Sequence, residues 1–346
     1  MNQYLMILFG LISISGFSQI KLEISDFSEK YKGILTIERG FENKVFKKGN
    51  ISIFESKTNK KIIDIDSDEL TFDLNKSGDV KTNVLELPYG EQSVIIFQDF
   101  NFDGIRDLAV MDGQYSCYHG PSFQVYLEIN DKLEHSSEFT RLAQGYCGMF
   151  QINYESKTIH TMTKSGCCWH KFSKFKVVDN IPKPILIIEE DAMNFPFYTS
   201  TITEWKGNEK KELVKKKINL KDESVTEIFS FQLIKNQKRV VVFKINDRTL
   251  NYVLIRPDET VEFSYPIETI YKNPDFEIDG NEEYLTFKTQ DVVYKIYETH
   301  NQKGEVKAGV LVQVNGKSYD LKGDSNTVKG SLTNVKKVTL DNVVIR

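Results

Sequence analysis

The sequence predicts an all-β protein: a propeller-like or β-sandwich first part with an oxygen-rich loop between two strands, then a second, smaller β domain. Three observations lead there. Only four alanines occur among 346 residues, beside 23 Phe and 16 Tyr; alanine favours helices, whereas aromatic and β-branched side chains favour strands. Short apolar or alternating runs recur along the chain and are closed by Asn, Asp or Gly, as strands and their turns are. No window sustains a helical period. The length suits about two domains, and a 40% hydrophobic, 12% aromatic composition excludes a disordered chain. A net charge of -4 argues against a nucleic-acid binder, which carries a basic excess.

Residues 1–18 hold no charged side chain. Leu5-Met6-Ile7-Leu8-Phe9-Gly10-Leu11-Ile12 forms an apolar core, and Gly16 and Ser18 place small residues three and one positions before a cut ahead of Gln19. This is the pattern of an export signal. The run is too short to span a bilayer, and no later stretch reaches the roughly 18 apolar residues a spanning helix needs. The expected chain is therefore exported, periplasmic or extracellular, with no membrane span. Its mature part divides in the polar, turn-rich segment 218–226. Residues 19–225 form a β domain with the loop and all the cysteines, and 226–346 a C-terminal β domain.

The strands follow in order. Val94-Ile95-Ile96-Phe97 and Leu108-Ala109-Val110-Met111 have the length of buried strands. Phe123-Gln124-Val125-Tyr126-Leu127-Glu128-Ile129 alternates and then meets the turn pair Asn130-Asp131. Thr201–Trp205 and Leu213–Lys216 flank Gly207-Asn208 as the arms of a hairpin, and the lysine-rich run 210–217 reads as a solvated arm. Val310–Val314 followed by Asn315-Gly316 is the strongest hairpin signal, because Asn-Gly supplies the positive φ angles of a type I′ turn.

One segment carries chemistry. In Asp99-Phe100-Asn101-Phe102-Asp103-Gly104-Ile105-Arg106-Asp107, oxygen side chains stand at positions 1, 3, 5 and 9, with glycine at 6. Alternate spacing lets a curled loop aim Asp99, Asn101 and Asp103 at one point, with the Ile105 carbonyl and Asp107 closing the far side. All-oxygen coordination suits Ca²⁺. The loop is not a full EF-hand, since position 12 is Val110 and its flanks are strands. Asp112, just beyond, is a further possible ligand.

The four cysteines, Cys117, Cys147, Cys167 and Cys168, lie in one stretch. After export an even number favours disulfides, and three pairings are open. A vicinal Cys167–Cys168 bridge with Cys117–Cys147 is one. The rival is a zinc cluster of Cys117, His119, Cys167 or Cys168, and His170. His119 and His170 also allow a Cys–His nucleophile to be drawn, but paired cysteines offer no thiolate, and neither a nucleophile elbow nor a zinc-protease signature occurs. An enzyme is not expected. Trp169 and Trp205 could serve as saccharide-stacking faces.

The segment 94–111 resembles the calcium loops of integrin-type (FG-GAP-like) propeller repeats. More closely, it resembles secreted or periplasmic bacterial β-proteins related to lysozyme inhibitors and to immunity proteins against peptidoglycan-cleaving effectors. Gly145-Tyr146-Cys147-Gly148, Ser165-Gly166-Cys167-Cys168-Trp169-His170, Tyr294-Lys295-Ile296-Tyr297 and Gly309-Val310-Leu311-Val312 fit the same group. The resemblance implies bound calcium and a protein partner, a lysozyme-type hydrolase. Such inhibitors insert a Ser-Gly loop into the enzyme cleft, which points to Ser77-Gly78 and Ser165-Gly166 as partner-binding positions. The alternatives are a cell-surface adhesion or scaffold module and a metal-dependent hydrolase.

Overall fold

The computed structural model describes residues 19–86, 90–266, 275–278, 284–301 and 304–346; the expected export signal, 1–18, lies outside them. The chain is all-β, built of antiparallel sheets, with one short α-helix and one parallel pairing among the described residues. It divides into two compact units. Of the described residues, the first comprises those within 19–165, 171–187 and 204–209, the second those within 166–170, 188–203 and 210–346.

The first unit opens with a four-stranded meander: β1 (Ile20–Ile24), β2 (Tyr31–Ile37), β3 (Lys47–Glu55) and β4 (Lys61–Leu70). A second meander follows, of β5 (Ile95–Gln98), β6 (Asp107–Ser116), β7 (Gly120–Ile129) and β8 (Lys132–His135). Strand β2 alternates buried and half-buried residues, as a strand with one covered face does, whereas β6 is buried almost throughout. One core joins these sheets, with Leu35, Ile51 and Ile53 from the first and Val110, Phe123 and Val125 from the second.

One short helix, α1 (Ser137–Gln144), stands among the strands. Its start is fixed by the Ser136 hydroxyl accepting the Phe139 amide, and Phe139, Leu142 and Ala143 bury one face. Eight residues are too few to show a period, so the sequence hides it.

Six further strands run as a meander in sequence order: β9 (Gln151–Asn153), β10 (Thr158–Ser165), β11 (Trp169–Val178), β12 (Ile181–Asp191), β13 (Phe197–Lys206) and β14 (Glu209–Ile218). Gly207, at φ +63°, turns the β13–β14 hairpin, and 209–215 on β14 are exposed, as the lysine run predicts.

In the second unit β15 (Val225–Gln232), β16 (Arg239–Ile245), β17 (Thr249–Ile255) and β18 (Val261–Tyr265) form one sheet. Position 225 thus opens a strand of this unit. A second sheet holds β19 (Phe276–Ile278), β20 (Tyr284–Thr289), β21 (Val292–His300), β22 (Val306–Val314) and β23 (Lys317–Lys322). The short β24 (Lys329–Gly330) edges the former sheet, and β25 (Val343–Ile345) pairs in parallel with β19. The β22–β23 turn has Asn315 and Gly316 at φ +51° and +72°, the conformation expected from the sequence. Asn130 and Asp131 turn β7 into β8 in the same way.

Candidate functional site

The oxygen-rich loop connects β5 to β6, whose pairing runs from Ile95 opposite Val110 to Gln98 opposite Asp107. The loop therefore springs from the end of a buried ladder. Asp99 organises it: Oδ1 accepts the amides of Phe102 at 2.6 Å and Asp103 at 3.2 Å, and Oδ2 that of Gly104 at 2.9 Å. Asp103 Oδ1 accepts the Ile105 amide at 2.7 Å. Asn101 donates to Asp103 at 3.0 Å and to Asn180, on the β11–β12 turn of the same unit, also at 3.0 Å. Gly104 sits at φ +90°, where a side chain would be strained.

Asp107 is different. It is fully buried, and its two oxygens accept the amides of Phe100 at 2.7 Å and Glu128 at 2.9 Å. Burial pushes its carboxyl up to about 7, and the Asp103 charge adds to the rise, while the backbone donors oppose it. Asp107 thus ties the loop to β7. Each carboxylate oxygen has a second acceptor site, so this tie is compatible with cation binding.

Among the described residues no three His, Cys, Asp or Glu side chains gather as a metal-holding group. The donor types nonetheless fit a hard cation: Asp99, Asn101, Asp103, the Ile105 carbonyl and Asp107 offer oxygen alone. A cation here would also offset the charge that burial penalises at Asp107. Asp112 is engaged elsewhere, accepting from Ser122, Gln124 and Gln144.

The cysteines form two disulfides, Cys117–Cys147 and Cys167–Cys168, and none is free among the described residues. The zinc cluster is therefore overturned, because disulfide sulfurs are not thiolates. Cys117–Cys147 anchors the loop between β6 and β7. Gly148 donates to Ser116 Oγ at 3.0 Å, and the Cys117 amide to the Tyr146 carbonyl at 3.2 Å. Held this way, Tyr118 and His119 both adopt left-handed backbone, at φ +54° and +58°. Such backbone is uncommon for non-glycine residues and persists only where its surroundings enforce it.

This loop and the end of β6 beside it display aromatic surface that the sequence reading missed. Tyr115 and Tyr118 are 59% and 58% exposed, Phe46 packs edge-on to His119, and the Lys164 ammonium lies 5.1 Å from the Tyr118 ring centre. The signal was present as the unusual density of Tyr and His around Cys117. The Ser-Gly positions are exposed turns. Ser77 and Gly78 cap a loop in which Asn75 Oδ1 accepts the Ser77 amide, the Ser77 hydroxyl and the Asp79 amide. Ser165 ends β10, and Gly166 at φ +62° leads into the vicinal disulfide.

No family model matches the chain, and no characterised protein matches it in sequence. Solved structures similar to it include the following two. A Xanthomonas protein described as related to a type IV secretion system shares 19% identity, covering 57% of this chain and 97% of its own, at a TM-score of 0.43. A candidate 6-phosphogluconolactonase of Bacteroides uniformis shares 12% identity, covering 89% of this chain and 87% of its own, at a TM-score of 0.21. Likeness at these TM-scores establishes neither fold nor function.

Proposed function

We propose that the protein is an exported, calcium-binding β-protein that works by binding another protein, and that its target is a lysozyme-type, peptidoglycan-cleaving enzyme. The observation that carries the binding role is the disulfide-anchored loop with exposed Tyr118, beside exposed Tyr115 at the end of β6. Exposed tyrosines are the residues on which interface energy concentrates. A loop already locked in place loses little entropy on binding. Two disulfides support export, since such bonds persist in oxidising compartments.

The choice of target rests on the resemblance of the 94–111 segment and on chemistry. A glycosidase cleft holds a pair of carboxyl groups. The Tyr118 hydroxyl, His119 and Lys164 bring hydrogen-bond donors and positive charge to one rim of the loop. The turns at Ser77-Gly78 and Ser165-Gly166 are the other contact candidates. Calcium, held by Asp99, Asn101, Asp103, Ile105 and Asp107, would supply rigidity and no chemistry.

A turbidity assay with several lysozyme classes tests this. Inhibition by the mature protein is expected, weakened at least about tenfold in Tyr115→Ala plus Tyr118→Ala, because truncating central aromatic anchors costs more than about 1 kcal/mol each. No inhibition of any class, together with no cell-wall hydrolase co-purifying from extract, would overturn the inhibitor reading in favour of an adhesion or scaffold module.

A further inference from the structure

The second unit contains a cavity of about 790 Å³, inside the roughly 300–1,000 Å³ range of small-molecule sites. It owes nothing to the loop proposed above to meet a protein. One wall is the vicinal disulfide Cys167–Cys168, which the Ala192 amide joins to the neighbouring strand segment through the Cys168 carbonyl at 2.8 Å. Another is the aromatic segment 195–198. Phe197 is held in place, with the Lys216 ammonium 4.1 Å from its ring centre and bonded to Ser264 Oγ at 2.9 Å. Phe195 and Tyr198 are instead 47% and 43% exposed where they line the cavity.

The polar lining narrows the occupant. Lys215 and Lys217 are matched by Glu190 and Asp222, so the cavity favours neither an anion nor a cation. Asp222 is fixed in orientation, its Oδ1 accepting the Ser224 amide at 3.0 Å and hydroxyl at 2.7 Å. A purely apolar ligand would strip water from these charged groups and return no hydrogen bonds. The lining asks for an uncharged molecule with an apolar face for the rings and sulfurs and a dense edge of hydroxyl or amide groups for the charged side chains. A pyranose has this build: C–H bonds on its faces, hydroxyls around its rim.

We propose that the cavity is a binding site for a neutral oligosaccharide, stacked on Phe195 and Tyr198 against the Cys167–Cys168 disulfide and hydrogen-bonded by Glu190, Asp222, Lys215 and Lys217.

Calorimetric titration of the mature protein with tri-N-acetylchitotriose and with maltotriose tests this, the pair separating N-acetylated from plain sugars. Saturable binding of at least one is expected, with a Kd of about 1 mM or tighter. Phe195→Ala and Tyr198→Ala should each weaken it about tenfold or more, a loss the removal of a stacking ring produces. Both residues are nearly half exposed and belong to neither hydrophobic core, so both variants should melt with the parent protein, and amide chemical-shift changes in the parent should map to 190–200 and 215–222. The proposal is overturned by no saturation with either sugar at about 10 mM. It is equally overturned by binding that survives both substitutions, or by a Lys-Ala-Glu tripeptide filling the site when neither sugar does.

Discussion

Asp107 shows how much one buried carboxylate can organise. Its two oxygens hold the start of the loop and the far end of β7 to the first residue of β6, through the Phe100 and Glu128 amides. Asp107→Ala would leave both amides without that acceptor, and an unpaired buried polar group costs about 1–3 kcal/mol. The variant should therefore unfold at clearly lower urea without added metal, while Asp103→Ala, whose side chain is exposed, should scarcely move the midpoint. Equal midpoints for parent and Asp107→Ala would show that Asp107 is no tie. At this scale the sequence was partly legible. The spacing of Asp99, Asn101, Asp103 and Asp107 announced the loop, but nothing in it distinguished the buried Asp107 from its three neighbours. The pairing of β6 with β7, which brings the Glu128 amide to it, is set by the sheet and not by the loop's own residues.

Among the elements, the hairpins were the most legible because their signals are local: Asn315-Gly316 and Asn130-Asp131 name their own backbone angles. The disulfide partners were not, since which cysteine faces which depends on β6 and the chain after α1 arriving together. The same bridge fixes the Tyr118 loop, which gives it a measurable role. Cys117→Ser plus Cys147→Ser opens a closure with a sequence separation of 30, and removing such a native bridge costs about 2–5 kcal/mol. The expected outcome is a lower melting temperature together with weakened inhibition, as the loop loses its fixed shape. Full inhibition by the bridge-free variant would separate the loop from the function. The aromatic segment 195–198 went unremarked in the sequence because its exposure, the informative property, is invisible without the fold.

For the whole molecule, the two units have separate cores. One is centred on β2, β3, β6 and β7. In the other unit Phe287 packs against the rings of Tyr252, Tyr265, Phe276 and Tyr294. A ligand stabilises the part whose folding creates its site, so calcium should act on the first unit alone. Hydrogen exchange in excess calcium against excess chelator should slow the amides of 95–111 and leave those of 239–255 unchanged. Asp99→Ala plus Asp103→Ala should abolish the difference. Identical exchange of the parent in both conditions would remove calcium from the account. The all-β class was legible from composition, whereas the interleaved assignment of segments to units was not, because contact between distant stretches leaves no local trace.

The two bridges also set how the chain responds to force. Pulled by its ends, the oxidised protein cannot pay out the residues enclosed by Cys117–Cys147, whose sequence separation is 30. At roughly 3.5 Å per extended residue that withholds about 100 Å of length. The Cys167–Cys168 bridge, with a separation of 1, withholds essentially nothing. Single-molecule stretching before and after reduction should reveal one added step of about 100 Å, its anchor points inside the first unit, while the tethered length of the second unit stays the same. Under tension, the loop that carries Tyr118 is thus shielded covalently while the strands around it peel away.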